Sequence, residues 1–510
     1  MTSTIDTTRS RGADADTADL AALGYAQVLH RRLGPYSSFA AGFSFVSILT
    51  TVTEFFGFGY SFGSSAFFWT WPLVFVGQVL VALCFAEMAA QFPIAGCIYQ
   101  WSRRLAGAAV GFAAGWLMLL GQIVSVAAAA IALQSTLPTV WSGFQFIGTN
   151  TSFASSDGAT NAVILGGLLI VVTTVVNAIG VQVMARINDI GVTCELVGVV
   201  ALVALLFVHA DRGPGAVLKT NGVAGHGSYV FPFLASTLMA CYVMYGFDSA
   251  GELSEETVAP RLTAPRSILR ALAVSGIGGG LLLIAAIMAA RSLTDPNLST
   301  GGLSYIITDR LGTGVGKIIL VDVSVAVCVC TLAIQTAGSR MLFSLSRDGV
   351  LPGSSVLARV SGRTGTPVLP SVLIGALAIG LLVLNAGQSA IFAALGSVGV
   401  VLVYGAYLAV TAPLLVRRLR GGQPAAVPGR FSLGRWGLPV NLLAVVWGGF
   451  ITVNTAWPRA AVYDPAGGNW ALRWFAVLFL AGAAVVGTVA ALVARRSRRA
   501  PLVVTEAALA

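Results

Sequence analysis

The stretch Met244-Tyr245-Gly246-Phe247-Asp248-Ser249-Ala250-Gly251-Glu252 ends an apolar run that begins near residue 229. Its two glycines weaken a helix, and a charged group at the middle of a bilayer costs about 2.5–3.5 kcal/mol. The pattern predicts a helix that breaks inside a membrane, where its free N–H and C=O groups must line a cavity. Asp248 is therefore the strongest functional candidate. The alternative is a glycine-mediated contact between helices with a capped acid.

The composition of the chain supports this membrane setting. Of the 510 residues, 56% are hydrophobic and only 10% are charged, whereas soluble domains carry about 25% charged residues. Lipid is the expected solvent for most of this apolar surface. The net charge of +10 does not indicate nucleic-acid binding, because the arginines lie in short runs between apolar segments, as in a topology signal.

Twelve apolar runs have the length of about 20 residues that a membrane-crossing helix needs. With both termini inside, 23 of the 30 basic residues fall in inner segments and 7 in outer ones, as the positive-inside rule requires. The sequence therefore predicts an all-α integral protein of the cell (inner) membrane with cytoplasmic termini. The predicted spans are 38–62, 67–90, 107–137, 161–183, 190–210, 229–251, 268–291, 316–340, 368–386, 389–416, 437–457 and 471–494.

The two ends of the chain are polar. Residues 1–35 contain four aspartates and show no cleavable signal peptide, so we expect a disordered cytoplasmic tail. Residues 496–510 are expected to form a cytoplasmic C-terminal tail. The six cysteines show no zinc-type spacing, and we expect neither a metal nor a cofactor.

The first predicted span carries a second weak point. Ser47-Ile48-Leu49-Thr50-Thr51-Val52-Thr53-Glu54 is rich in hydroxyls and β-branched side chains, although such hydroxyls often bond only to their own helix. This span and the sixth lie five positions apart, as do the broken helices that face each other at the midplane of inverted five-helix repeats. Half-helix N-termini would attract a carboxylate and free carbonyls an ammonium group, so such a site suits a zwitterion.

Further acids lie within apolar runs, and each is a functional candidate. Glu195, in span five, would carry a proton through a transport cycle or pair with a buried hydroxyl for structure. Glu252 joins Asp248 as a candidate for proton coupling. Two others, Glu54 and Asp322, are expected near the outer interface.

Glu87 lies near the inner end of span two. We expect it to be structural and to face Arg103 or Arg104.

Three groups of residues resemble signatures of the amino acid–polyamine–organocation superfamily, and with the spans they cover about residues 36–495. The branch that the chain resembles most is that of the amino acid/choline permeases, which carry γ-aminobutyrate, amino acids, choline or related amines. The three groups are Phe85-Ala86-Glu87-Met88 with Phe92-Pro93-Ile94-Ala95-Gly96 and Tyr99-Gln100-Trp101; Gly246-Phe247-Asp248 with Leu253-Ser254-Glu255-Glu256-Thr257 and Ala264-Pro265-Arg266-Ser267-Ile268; and Gly338-Ser339-Arg340 with Ser346-Arg347-Asp348-Gly349-Val350-Leu351-Pro352.

The resemblance implies a fold. It is a five-plus-five inverted repeat (LeuT-like) over residues 36–420, with discontinuous helices one and six and two accessory helices in 421–495. A bundle of spans one, two, six and seven would rock against a scaffold of spans three, four, five and eight.

The resemblance also implies a site between the two breaks. The substrate carboxylate would bind span-one amides, at Ser47, Ile48, Leu49, Thr50 and Thr51. The amine would bind the carbonyl of Ile48 and those of four span-six residues, Met244, Tyr245, Gly246 and Phe247. Asp248 matches a proton-sensing glutamate of related exchangers. The chain departs from the family in two places: Glu195 stands where proton-coupled relatives often carry lysine, and span one lacks the usual Gly-Ser-Gly.

The expected function is secondary transport of a small amino acid or related amine by alternating access, with proton symport favoured over exchange. No nucleotide-binding loop is present in the sequence to drive it, and no enzymatic activity is expected. The rivals are a carrier of choline, ethanolamine or polyamines, an amino-acid exchanger of the same fold, a channel, and a membrane enzyme. A channel would need a continuous polar pore, whereas a membrane enzyme usually shows histidine clusters or paired acids.

Overall fold

The computed structural model describes residues 14–153, 155–223, 225, 227–384, 386, 391–422, 429–463 and 467–497, and their regular structure is helical. Apolar sequences in lipid favour helices, because a helix satisfies its backbone groups within one segment. The main helices are α1 (Pro35–Val46), α2 (Ile48–Gly63), α3 (Thr70–Gln91), α4 (Cys97–Ala106), α5 (Ala108–Ile131), α6 (Ser156–Ile179), α7 (Val181–Val208), α8 (Val230–Val243), α9 (Ser249–Glu252), α10 (Pro260–Ala289), α11 (Gly302–Arg347), α12 (Val368–Leu384), α13 (Ile391–Leu419), α14 (Gly437–Ala456) and α15 (Phe475–Ser497). Shorter helices in the connections include Leu137–Val140, Asn297–Thr300, Ser354–Leu357, Ala460–Tyr463 and Trp470–Arg473.

Each predicted span coincides with one of these helices or with a pair of them. In the part of the chain that the structure describes, nine helical segments are long and apolar enough to cross a membrane, and one of them, Pro35–Gln91, contains two predicted spans. The shorter apolar helices α8 and α12 supply the remaining two. The chain is therefore a multi-pass membrane protein.

The first span breaks at a single residue. Ser47 has φ 37° and ψ 95°, its N–H bonds to the carbonyl of Phe43, and α2 starts at the next residue. A serine with positive φ is uncommon and strained, so the surrounding contacts must hold it there. The break in span one is confirmed at the first residue of the predicted weak stretch.

The sixth span breaks over residues 244–248, between α8 and α9. Gly246 has φ 93°, and a Cβ built on it would lie 1.9 Å from the Phe45 ring. Only glycine combines this backbone conformation with so close an approach. The break in span six is confirmed at the stretch that the sequence singled out.

The broken helices lie at the centre of the bundle. Helices α1 and α2 pack against α7, α8, α10 and α11, while α5 packs against α11 and α13. Helices α14 and α15 lie outside, against α3 with α13 and against α5 with α13, respectively. This placement suits the predicted accessory role of the last two helices, whose division from the core at residue 421 stays a prediction.

The helix that contains the predicted eighth span, 316–340, is longer than the apolar run that predicted it. Helix α11 covers residues 302–347 and turns sharply at Gly312, where φ is 69°. Its first part carries several polar residues and lies at one end of the bundle. The short helix just before it approaches α2 there, since the carbonyl of Ser299 would lie 2.4 Å from a Cβ built on Gly57.

The prediction of a disordered tail is wrong for residues 14–33. Residues 14–22 form a helix, and the buried side chains of Leu20, Leu29 and Leu33 anchor the segment. The amides of Arg32 and Leu33 both donate to the carbonyl of Glu256 at 2.8 Å. The segment is polar, so its composition alone indicated disorder. It is ordered because the folded bundle supplies its contacts, which composition does not show. We call the end of the bundle on which it packs the proximal end, and the opposite end the distal end.

The last helix also ends proximally, since Arg495 lines one groove together with Ala108 and Val350. Residues 1–13 of the predicted N-terminal tail and 498–510 of the C-terminal tail lie outside the described residues.

The predicted partner of Glu87 is also wrong. Its carboxylate pairs with Arg418, whose side chain is 1% exposed, and accepts the N–H of Leu433 at 3.0 Å. Arg103 instead pairs with Asp348. The partner of Glu87 comes from the end of α13, more than 300 residues away, so local sequence gave no indication of it.

Candidate functional site

The two breaks touch each other. The ring centroids of Phe45 and Tyr245 are 6.1 Å apart, and the Ser249 hydroxyl donates to the carbonyl of Ala41 at 2.9 Å. The structure thus brings the two predicted halves of the site together at the centre of the bundle.

The span-one half of the site is an amide end occupied by a carboxylate. Glu195, on α7, accepts the N–H of Leu49 at 3.0 Å and the Ser47 hydroxyl at 3.0 Å. The five predicted residues, Ser47, Ile48, Leu49, Thr50 and Thr51, are all buried. A half-helix N-terminus carries partial positive charge, which explains why an acid lies there.

The Thr51 hydroxyl bonds to the backbone of its own span, which is the structural alternative to a role in binding. Its side chain donates to the carbonyls of Ser47 at 2.7 Å and Val46 at 3.1 Å. The hydroxyl therefore bonds back to its own span, and it shares the Ser47 carbonyl with the N–H of Thr51.

The span-six half is held by side chains that the sequence analysis missed. Gln78 donates to the carbonyl of Met244 at 3.0 Å, and the Tyr245 hydroxyl bonds to that of Ser125 at 2.8 Å. The N–H of Gly246 donates to the Tyr407 hydroxyl at 2.8 Å. Each of these side chains is a polar group in an apolar span, which is a detectable signal.

Tyr407 also donates to Asp248, and the two residues begin a second buried cluster. The Cys97 thiol contacts Glu252 at 3.5 Å, and donor atoms of Cys97, Asp248 and Glu252 all lie within 4.8 Å of one another. One oxygen of Asp248 and one of Glu252 are buried without a hydrogen-bond partner among the described residues. These are the groups that would hold a cation or exchange a proton.

Glu54 and Asp322, expected near the outer interface, lie close to the core of the bundle. Glu54 accepts a hydrogen bond from Tyr242 at 3.3 Å. One Asp322 oxygen would lie 1.6 Å from a Cβ built on Gly198, one helical turn beyond Glu195.

Ion pairs close the proximal end below the site. Arg340 donates two hydrogen bonds to Glu256, of 3.0 and 2.8 Å. Arg347 donates two to Glu255, of 2.9 and 2.8 Å. The motif after span six therefore binds the motif at the end of span eight. Tyr25 covers this layer, and its own burial, followed by the charge of Asp348, raises its pKa.

Comparison with known proteins gives one consistent result. The sequence matches the family described as "Amino acid permease" over residues 33–483. It is 28% identical over 469 residues to the amino-acid permease BAT1 of Arabidopsis thaliana, covering 88% of this chain and 89% of that protein. It is 25% identical over 458 residues to the GABA-specific permease of Saccharomyces cerevisiae, covering 87% and 78%.

The fold is similar to the crystal structure of MhsT in complex with L-phenylalanine. The TM-score is 0.56 at 13% identity, covering 81% of this chain and 98% of MhsT. At this identity the likeness concerns the fold, and it confirms the predicted LeuT-like architecture. Since the matched family covers most of the sequence, this chain belongs to the amino acid permease family.

Proposed function

We propose that the chain is a secondary transporter that moves a small amino acid or related amine across the cell membrane by alternating access. The observation that carries the proposal is the meeting of two broken helices at the centre of the bundle, beside buried acids with unpartnered oxygens. Such breaks leave backbone dipoles that bind a small charged molecule. Both termini are proposed to be cytoplasmic, which makes the proximal end the inner one.

The proposed substrate site lies between the breaks. The carboxylate would bind the amide end of α2, at Ser47 to Thr51, and the ammonium group would bind carbonyls of Ile48 and of Met244 to Phe247. The contact between Phe45 and Tyr245 supports this placement, because it puts the amide end and the carbonyl-bearing segment in one place. The names of the relatives, an amino-acid permease and a GABA-specific permease, support a zwitterion as cargo.

Proton coupling is proposed to involve Asp248, Glu252 and Glu195. Asp248 and Glu252 approach within 4.8 Å, and each has a buried oxygen without a partner among the described residues. Two negative charges in such a place are costly, so the pair is suited to hold a proton in at least part of the cycle. The Tyr407 hydroxyl connects this pair to the N–H of Gly246 in the substrate site.

The test is transport by the purified protein in proteoliposomes. The probes are radiolabelled γ-aminobutyrate, L-phenylalanine, putrescine and choline, each with and without unlabelled substrate inside and with an acid or neutral outer medium. We expect saturable uptake of at least one zwitterion, stimulated by internal substrate and by external acid. Ohmic single-channel currents, chemical conversion of a probe, or no uptake of any probe would overturn the proposal.

A further inference from the structure

The amide end of α2 already holds a carboxylate that belongs to the protein. One oxygen of Glu195 accepts both the Leu49 N–H and the Ser47 hydroxyl at 3.0 Å. Helix α2 has 16 residues, enough for a full dipole at its N-terminus. The second oxygen of Glu195 is buried without a partner among the described residues. In this structure the subsite proposed for the substrate carboxylate therefore already binds the carboxylate of Glu195.

Among the described residues, the groups that face Glu195 include no cation that could pair with its negative charge. Helix α11 presents Asp322 and the thiol of Cys330 on this side. Helix α1 carries no charged residue, and the ion pairs found among the described residues involve other acids.

The other two helices packed against α7 keep their charges near their ends. Asp157 lies in the first turn of α6. The arginines of α10 lie in its first three turns, where Arg261 pairs with Asp19 and the other two, Arg266 and Arg270, are exposed. The end of α2 is thus the main stabilising partner of an ionised Glu195.

We propose that ionised Glu195 is a built-in competitor for the substrate carboxylate. When Glu195 takes a proton from the medium, its hold on the amide end weakens, and the carboxylate of the substrate accepts the Leu49 N–H in its place. One negative charge replaces another at the same helix end, so one proton enters for each zwitterion bound. The substrate class follows: the cargo carries a carboxylate. This inference rests on the proposed function.

The proposal fixes the sign of the pH dependence. Binding of a zwitterion takes up a proton, so its affinity rises as pH falls, by up to about tenfold per pH unit for one proton. Binding of the matched amine, which lacks the carboxylate, does not require Glu195 to leave. The difference between the two members of a pair isolates the exchange at α2 from every other titration in the protein.

The experiment measures dissociation constants between pH 5.5 and 8 for three pairs of probes on purified full-length protein. The pairs are γ-aminobutyrate with n-butylamine, L-phenylalanine with phenethylamine, and L-alanine with ethylamine. The variant is Glu195→Gln, which is nearly isosteric and uncharged at every pH. The control is Asp189→Asn on the same helix, whose carboxylate accepts the Ser37 hydroxyl at 2.7 Å, away from the end of α2.

We expect wild type and Asp189→Asn to bind a zwitterion more tightly at low pH than at high pH, while the matched amine shows no such gain. Glu195→Gln should bind the zwitterion at pH 8 with the affinity that wild type reaches at low pH, and its profile should be flat. The wild-type comparison within a pair needs no variant, so it decides the matter even if Glu195→Gln fails to fold.

Several results would overturn the proposal. They are equal pH profiles for both members of a pair, an unchanged profile in Glu195→Gln, loss of zwitterion binding at every pH by a Glu195→Gln protein that unfolds at the wild-type temperature, or tighter binding of the amine than of the zwitterion at low pH. A wild-type protein that transports a zwitterion with any of these results refutes the exchange and leaves the carrier function intact. A wild-type protein that binds no probe refutes both.

Discussion

At the scale of the residue, both the backbone conformation and the packing at Gly246 exclude a side chain. Replacing it by alanine puts a Cβ at φ 93° and 1.9 Å from the Phe45 ring. The backbone strain alone is of order 1–3 kcal/mol, and the clash adds to it. We expect Gly246→Ala to lower the melting temperature by several degrees and to abolish uptake.

The control for that substitution is Gly449→Ala in α14, where a built Cβ meets nothing within 4 Å. Thermal unfolding of the two purified variants should separate them clearly. Equal melting temperatures would show that the break tolerates a side chain.

Asp248 is one of the residues on which concentrative uptake should depend. Asparagine can still accept a hydrogen bond from Tyr407, but it cannot take up a proton. We expect Asp248→Asn to insert and to support exchange of internal for external substrate. The accumulation ratio that a gradient of one pH unit supports should fall by at least about tenfold, because one proton moving down that gradient supplies the free energy of a tenfold ratio.

The control is Asp309→Asn, which removes a surface acid that pairs with Arg291. Wild-type accumulation by Asp248→Asn would remove this carboxylate from the coupling step.

Individual residues show where sequence reasoning reaches its limit. Asp248 and Gly246 were predicted because an acid and a glycine within an apolar run have few explanations. Tyr407 and Gln78 carry equally clear polar groups, yet nothing in their own spans shows which face points to the break. Their roles depend on contacts between helices that lie far apart in the sequence.

At the scale of the element, the two breaks differ in what the sequence revealed. The break before Asp248 has its own glycine, so composition located it. The break at Ser47 is held by Glu195 and by hydroxyls within the span, and composition indicated only the eight-residue stretch 47–54. The distal part of α11 was missed because Thr308, Asp309 and Arg310 follow its apolar residues and interrupt the hydropathy signal before residue 316.

The connection between α9 and α10 should depend on its buried ion pair. Arg340 and Glu256 are fully buried and bonded twice, and removing one partner of such a pair costs roughly 3–5 kcal/mol. We expect Glu256→Gln and Arg340→Met each to lower the melting temperature strongly, and the double variant to recover part of the loss because neither charge is then left alone.

The matched control is the surface pair Arg291–Asp309, where the arginine is 64% exposed. An exposed pair contributes about 0–1 kcal/mol, so Arg291→Met should change the melting temperature little. Additive losses in the buried double variant would contradict the coupling of Arg340 to Glu256.

At the scale of the whole molecule, the segment 14–33 joins parts that must separate if the proximal end opens. Asp19 pairs with Arg261 at the start of α10, and Tyr25 donates to Asp348 at the end of α11 at 2.9 Å. In the proposed cycle α10 belongs to the rocking bundle and α11 to the scaffold, so the segment ties one to the other. Removing it should shift the population towards a state that is open at the proximal end.

Cys97 gives a direct readout of that opening, because its thiol is buried beside Asp248 and Glu252 at the first residue of α4. In a protein whose other five cysteines are replaced by alanine, we expect deletion of residues 1–33 to speed the labelling of Cys97 by a water-soluble maleimide at least severalfold. Deletion of residues 1–13 alone should leave the rate unchanged, since the contacts described above begin at Asp19. Saturating substrate should slow labelling in both proteins if the closed site is the bound one. Equal labelling rates in the two deletions would show that the proximal ion pairs keep this end shut without the segment, and that residues 14–33 only cover them.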